Sequence, residues 1–231
     1  MDIVLVPGLW LNASTWDQVT PTLEAAGHRT QALTLPGTES KESDRAGITL
    51  DDHVAAVVAA IDDAEGPVLL VGHSAGCGIA HLALDARPER VARVVHVGGF
   101  PSSDGEELLG GFDAVDGEIA MPDWVEKGED DNVIGFSDAE LADFYTAAIP
   151  VPEGVMNGVI HLKDTRRYDV PVTMVCPEYT ADQLREWVAD GHVPELAAIS
   201  DVTYVDVPTG HWPQLTRPDD LAKAILGAVP G

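Results

Sequence analysis

The stretch Val68-Leu69-Leu70-Val71-Gly72-His73-Ser74-Ala75-Gly76 decides the fold. Its four leading apolar residues read as a strand covered on both faces. Gly-x-Ser-x-Gly follows, and a helix-like run with Ile79, Leu82 and Ala83 comes next. A strand that turns through this pentapeptide into a helix holds its serine on a tight bend, with the hydroxyl clear of the sheet edge. Gly72 and Gly76 suit that bend because it crowds its neighbours and glycine has no Cβ to clash. Ser74 is therefore the candidate nucleophile.

Outward from the elbow, the chain alternates strands and helices. Before it, Ile3 to Val6 forms an apolar run bounded by Pro7-Gly8. Ser14 is expected to cap a helix with Asp17 in its first turn, and Pro21 to open a second helical stretch ending at Gly27. Thr30 to Leu35 reads as a strand and 36–47 as a polar loop. Thr49 caps a helix whose Val54, Val57, Val58 and Ile61 follow helical spacing. After the elbow, Val91 to Val97 and Val172 to Cys176 read as buried strands, with a helix over 181–190. Thr203 to Val207 is the last strand, and Pro218 starts a closing helix. This order predicts an α/β fold with a mostly parallel, doubly wound sheet and helices on both faces. Between Phe100 and Tyr168 no strand-like run occurs. Ser137-Asp138-Ala139-Glu140 is a capping box for one helix there, and a second is expected near 154–162. An interruption this long is read as a small helical cap: 1–99 and 169–231 form the core and 100–168 the insertion.

A serine hydroxyl needs a base to take its proton and donors to hold the oxyanion that forms. His211, in Val207-Pro208-Thr209-Gly210-His211-Trp212-Pro213 after the last strand, is the candidate base. The other seven histidines fall in the elbow turn (His73), in a strand (His96), or on helices and their flanks. The acid that orients the base is Glu178, two residues past Cys176, or Asp182, one turn further on. Serine, acid and histidine then follow the chain order expected of such a sheet. The oxyanion donors are expected to be the backbone N–H groups of Ala75 and of Leu9, in the loop after the first strand. Trp10, Phe100, Trp124, Phe144, Tyr145 and Trp212 are candidates for lining an apolar pocket under the cap.

The chain has 231 residues and a formal net charge of −26, from 39 acidic and 13 basic residues. Such a surface repels phosphate backbones and anionic lipid, which argues against nucleic-acid and membrane partners. Its two cysteines, Cys77 and Cys176, form no disulfide framework and read as buried apolar residues. No Cys/His cluster has zinc spacing, and the chemistry requires no metal or organic cofactor. The N-terminus lacks the basic and apolar regions of a signal peptide, so a cytoplasmic location is expected. Oligomeric state is not legible.

Together, the elbow, His211 and the Pro7-Gly8-Leu9 loop resemble the α/β-hydrolase superfamily over nearly the whole chain. More narrowly, the chain resembles the small serine esterase branch that includes plant methylesterases and hydroxynitrile lyases. In that branch the first strand usually ends in His-Gly, where this chain has Pro7-Gly8; Trp16 matches an aromatic residue shortly after it. The branch usually uses an aspartate as its acid. Its hydroxynitrile lyases carry a threonine at the position of Gly8 and a lysine after the histidine, where this chain has Trp212. The resemblance therefore implies hydrolysis of a small or medium carboxylic ester through an acyl-enzyme. A lactonase, thioesterase, perhydrolase or lyase on the same triad is an alternative, as is a non-catalytic receptor that kept the fold.

Overall fold

A computed structural model describes all residues, 1–231. Six strands form one sheet: β1 (Asp2–Val6), β2 (Arg29–Ala32), β3 (Val68–His73), β4 (Val91–Val97), β7 (Val172–Cys176) and β8 (Val202–Asp206). Their order is β2-β1-β3-β4-β7-β8, and every neighbouring pair is parallel. Side chains alternate across the sheet as the two-residue strand period requires. Ile3, Leu5, Leu69, Val71, Val95 and Val97 join one core with Trp16, Leu23, Leu221 and Ile225, from the segment after β1 and helices α1 (Thr20–Ala25) and α9 (Pro218–Gly227). Val4, Val6, Val68, Leu70, Val94 and Met174 face the other way. They pack with Val57 and Ile61 of α2 (Leu50–Asp63), Ile79 and Leu84 of α3 (Gly76–Ala86), and Leu184 of α6 (Ala181–Ala189).

Connections from β1 and β3 diverge from adjacent strands, which opens a crevice at their carboxyl ends. Leu9 follows β1 and Ser74 follows β3, so both candidate residues stand at that switch point.

Between β4 and β7 the chain makes a two-residue antiparallel pair, β5 (Glu118–Ile119) with β6 (Val151–Pro152), and helices α4 (Asp138–Ala147) and α5 (Glu153–Met156). The Ser137–Glu140 capping box opens α4 as expected. Ile119, Phe144, Val151, Val155, Met156 and Ile160 belong to the larger of the two cores, so this excursion has no separate hydrophobic centre.

Several boundaries differ from the sequence reading. Asn12, not Ser14, caps the turn after β1, because its Oδ1 accepts the Ser14 N–H, and that turn is a short 3-10 helix over Ala13–Trp16. β2 stops at Ala32, well short of Leu35. The helix expected near 154–162 is the single turn Glu153–Met156. Two short helices that open on proline, α7 (Pro194–Ala198) and α8 (Pro213–Thr216), had no periodicity to announce them. No helix is long and apolar enough to cross a membrane.

Candidate active site

β3 ends at His73, and Ser74 takes a left-handed backbone with φ 54°. A non-glycine residue in that region is strained, and the surroundings hold it there. The Ser74 N–H donates to Val97 O at 2.9 Å, and the Cys77 N–H donates to Ser74 O at 2.9 Å. The turn leaves no room at its glycines: a Cβ on Gly72 would lie 2.6 Å from Gly76 O. Gly8 is equally confined, since a Cβ there would stand 2.7 Å from His73 Nδ1 and 3.1 Å from Ser74 Cβ.

His211 reaches the serine from the β8–α8 loop. Its Nε2 lies 2.7 Å from Ser74 Oγ, and its Nδ1 lies 2.7 Å from Glu178 Oε2. An ionised carboxylate only accepts, so Nδ1–H donates to Glu178 and Nε2 keeps the lone pair that faces the serine hydroxyl. Asp182 is elsewhere: its Oδ1 accepts from Arg185 Nη1 at 2.7 Å, and its side chain is 90% exposed. The structure thus brings Ser74, His211 and Glu178 together and leaves Asp182 on the surface.

The His211 peptide is held from both sides. Its N–H donates to Asn132 O at 2.7 Å, and the Gly210 N–H donates to Ile134 O at 3.0 Å, both acceptors lying in the excursion between β4 and β7. From the core side, His73 Nε2–H donates to His211 O at 2.8 Å. Burial, with His211 close by, pushes His73 down to about 3, so its ring is neutral. Burial also pushes the Cys77 thiol far up, which makes it inert although it lies three residues past Ser74.

The amides of Leu9 and Ala75 make no hydrogen bond within the protein, and both residues line the cavity at Ser74. That cavity holds about 450 Å³, within the range of small-molecule sites. Trp10, Phe100, Trp124 and Trp212 line it. Phe144 and Tyr145 do not, which corrects the sequence expectation. Phe144 packs behind Trp212, with ring centroids 4.6 Å apart, and faces a second cavity of about 370 Å³ on the far side of Trp10. Tyr145 turns its hydroxyl to accept the Trp124 N–H at 3.0 Å. Helix α4 lies behind the pocket wall, so its aromatics support the wall rather than form it.

Sequence reasoning missed other lining residues, among them Ser102, Glu106, Glu129 and the His192-Val193-Pro194 turn. Pro194 was the one available signal, as a helix-opening proline just after a turn. Three glutamates besides Glu178 line the cavity, and no lysine or arginine does. No group of three or more His, Cys, Asp or Glu side chains is arranged to hold a metal ion.

A family model described as the alpha/beta hydrolase family matches residues 3–224. Methylesterase 7 of Arabidopsis thaliana is 26% identical, over 96% of this chain and 94% of that protein. A carbendazim hydrolyzing esterase of a Nocardioides strain is 24% identical, over 97% of this chain and 98% of its own length. Among solved structures, an extracellular alpha/beta-hydrolase from a Paenibacillus species superimposes with a TM-score of 0.81 at 21% identity, covering 100% of both chains.

Proposed function

Since this chain belongs to the alpha/beta hydrolase family, we propose that it is a serine hydrolase that cleaves a small or medium carboxylic ester through an acyl-enzyme. The observation that carries the reading is the continuous line Glu178–His211–Ser74, with 2.7 Å at each link. His211 Nε2 takes the proton as Ser74 Oγ attacks the acyl carbonyl, and Glu178 stabilises the imidazolium that forms. The free amides of Leu9 and Ala75 hold the oxyanion. His211 then protonates the leaving alcohol, and a water activated by the same base releases the acid. Residues 100–168 act as the cap that closes the acyl pocket over Ser74.

The names of the relatives support an ester substrate. So does Gly8, where a threonine of the hydroxynitrile-lyase kind would collide with His73 and Ser74. The glutamate-lined cavity, without a cationic side chain, favours uncharged or cationic esters over esters that carry a carboxylate.

A panel of p-nitrophenyl and methyl esters tests the reading, with wild type compared against Ser74→Ala. Loss of at least ~10³-fold in kcat is expected for the variant. A Ser74→Ala protein that keeps the wild-type rate refutes it, as does a wild type that binds the esters without turnover.

A further inference from the structure

The residue before the nucleophile and a glutamine past the base form a buried chain that neither the triad nor the pocket uses. His73 is fully buried. Its Nε2 lies 2.8 Å from His211 O, and its Nδ1 lies 3.2 Å from Gln214 Nε2. Gln214 is also fully buried, and its Nε2 is 3.3 Å from Thr15 Oγ1. A carbonyl can only accept and an amide NH₂ can only donate. The two contacts therefore demand one tautomer of His73, with the proton on Nε2 and a bare Nδ1.

We propose that His73 and Gln214 are positioning residues for the general base: the Gln214 amide fixes His73 as the Nε2–H tautomer, and that N–H seats the His211 peptide so that its ring bridges Ser74 and Glu178. The proposal rests on His211 being the base. Its physical logic is one of directions. The His211 N–H is already held by Asn132 O from the opposite side, so the peptide has donors and acceptors matched on both faces. If His73 carried its proton on Nδ1, its Nε2 lone pair would face the His211 carbonyl and its Nδ1–H would face an amide donor. Both contacts would become repulsive, and the loop would have to shift. A displacement of an ångström at a catalytic group costs about 10²-fold in rate. Neutrality matters as well. The His73 and His211 rings are 5.1 Å apart, and a cation at His73 would oppose the imidazolium that forms during the reaction. Burial of His73 among Gly8, Ser74 and Gln214 keeps that cation from forming.

Three substitutions and one spectrum test this. His73→Gln places an amide donor near the former Nε2 and is expected to keep kcat within about fivefold. His73→Leu removes the donor and is expected to lower kcat roughly 10–100-fold with KM unchanged. Gln214→Met, at the far end of the chain, is expected to lower kcat about 3–10-fold, again without a KM change. In wild type, ¹⁵N spectra of the imidazoles should show His73 with Nε2 protonated and Nδ1 bare from pH 5 to 8, assigned by its absence in His73→Gln. A His73 that titrates in that range, or carries its proton on Nδ1, overturns the proposal independently of any rate measurement. So does a folded His73→Leu enzyme with wild-type kcat, which would mean that the pair only fills space. His211→Ala separates the two levels: if it keeps wild-type activity, the base assignment itself has failed, whereas an inert His211→Ala beside an unaffected His73→Leu refutes only the positioning role.

Discussion

Replacing Glu178 by glutamine removes one negative charge from the line of groups at Ser74 while keeping its size. The carboxylate oxygen lies 2.7 Å from His211 Nδ1, and the two side chains are 22% and 19% exposed. The charge centres of carboxylate and imidazolium are then about 4 Å apart. At an effective dielectric of about 20 their attraction is about 4 kcal/mol, and at twice that dielectric, suited to a partly wetted pair, it is about 2 kcal/mol. With 1.36 kcal/mol per decade, Glu178→Gln should lower kcat by about 30- to 10³-fold. The upper end applies if the glutamine turns its NH₂ toward Nδ1, because the imidazole proton then moves to Nε2 and no lone pair faces Ser74. The assay is steady-state turnover of p-nitrophenyl acetate, with the burst amplitude measured separately to distinguish acylation from deacylation. Asp182→Asn is the control and should stay within twofold, since its exposed carboxylate bonds only Arg185. A Glu178→Gln enzyme within threefold of wild type, or an equal loss in both variants, refutes the electrostatic argument.

Gly72→Ala should damage the elbow itself: its new Cβ would sit 2.6 Å from Gly76 O and 2.9 Å from Cys77 Cα, so the first turn of α3 must retreat by about half an ångström. A loss of roughly 1–3 kcal/mol in stability and ~10-fold in kcat/KM is expected, and a melting temperature and rate equal to wild type would contradict it. Glu195 supplies a pH test. Burial opposes its ionisation, but hydrogen bonds from His81, Arg167 and Tyr168 outweigh this and hold it at about 2, below its ordinary 4.5. A depressed carboxylate stabilises the fold above its unfolded value and loses that contribution as the pH falls through its folded one, here between about 4.5 and about 2. Glu195→Gln should therefore melt well below wild type at pH 6, by a difference worth roughly 3 kcal/mol, and the gap should narrow to about half of that as the pH falls to 3, closing only towards pH 2. Thermal curves that stay parallel across that range would exclude the linkage.

The elbow was legible because each of its parts is local: an apolar strand, two glycines in a crowded bend, and a helix. The strands β3, β4 and β7 were readable for the same reason, as runs dominated by β-branched and other apolar residues. β2 reads as Thr30–Leu35 in the sequence and is Arg29–Ala32: the strand itself was legible but its end was not, since three of its four residues are polar and the pairing with β1 decides where it stops. Glu178 and Asp182 looked alike in sequence because both follow β7 closely; a difference of one turn decides which of them faces His211. Phe144 and Tyr145 were misplaced because a helix shows which residues share a face but not which face a distant loop will cover. The Asn132 and Ile134 contacts had no signal at all, being made by main-chain carbonyls that every residue has. Gly210 was the nearest hint, and its reason is visible only in three dimensions: a Cβ there would stand 2.6 Å from Ile134 O.

That seam between 132–134 and 209–211 bears on how the protein could be re-engineered. Segments inserted into a conserved scaffold are commonly treated as interchangeable modules, exchanged between relatives to alter substrate range. Here the exchange would also remove the carbonyls of Asn132 and Ile134 that tie down His211 and Gly210. On the proposed mechanism, a wholesale graft of residues 100–168 would change selectivity and unseat the proposed base in a single step, and an inactive chimera would say nothing about its new pocket. A graft that retains 132–134 and varies the remainder separates the two effects, leaving the His211 loop moored while the walls of the pocket are rebuilt.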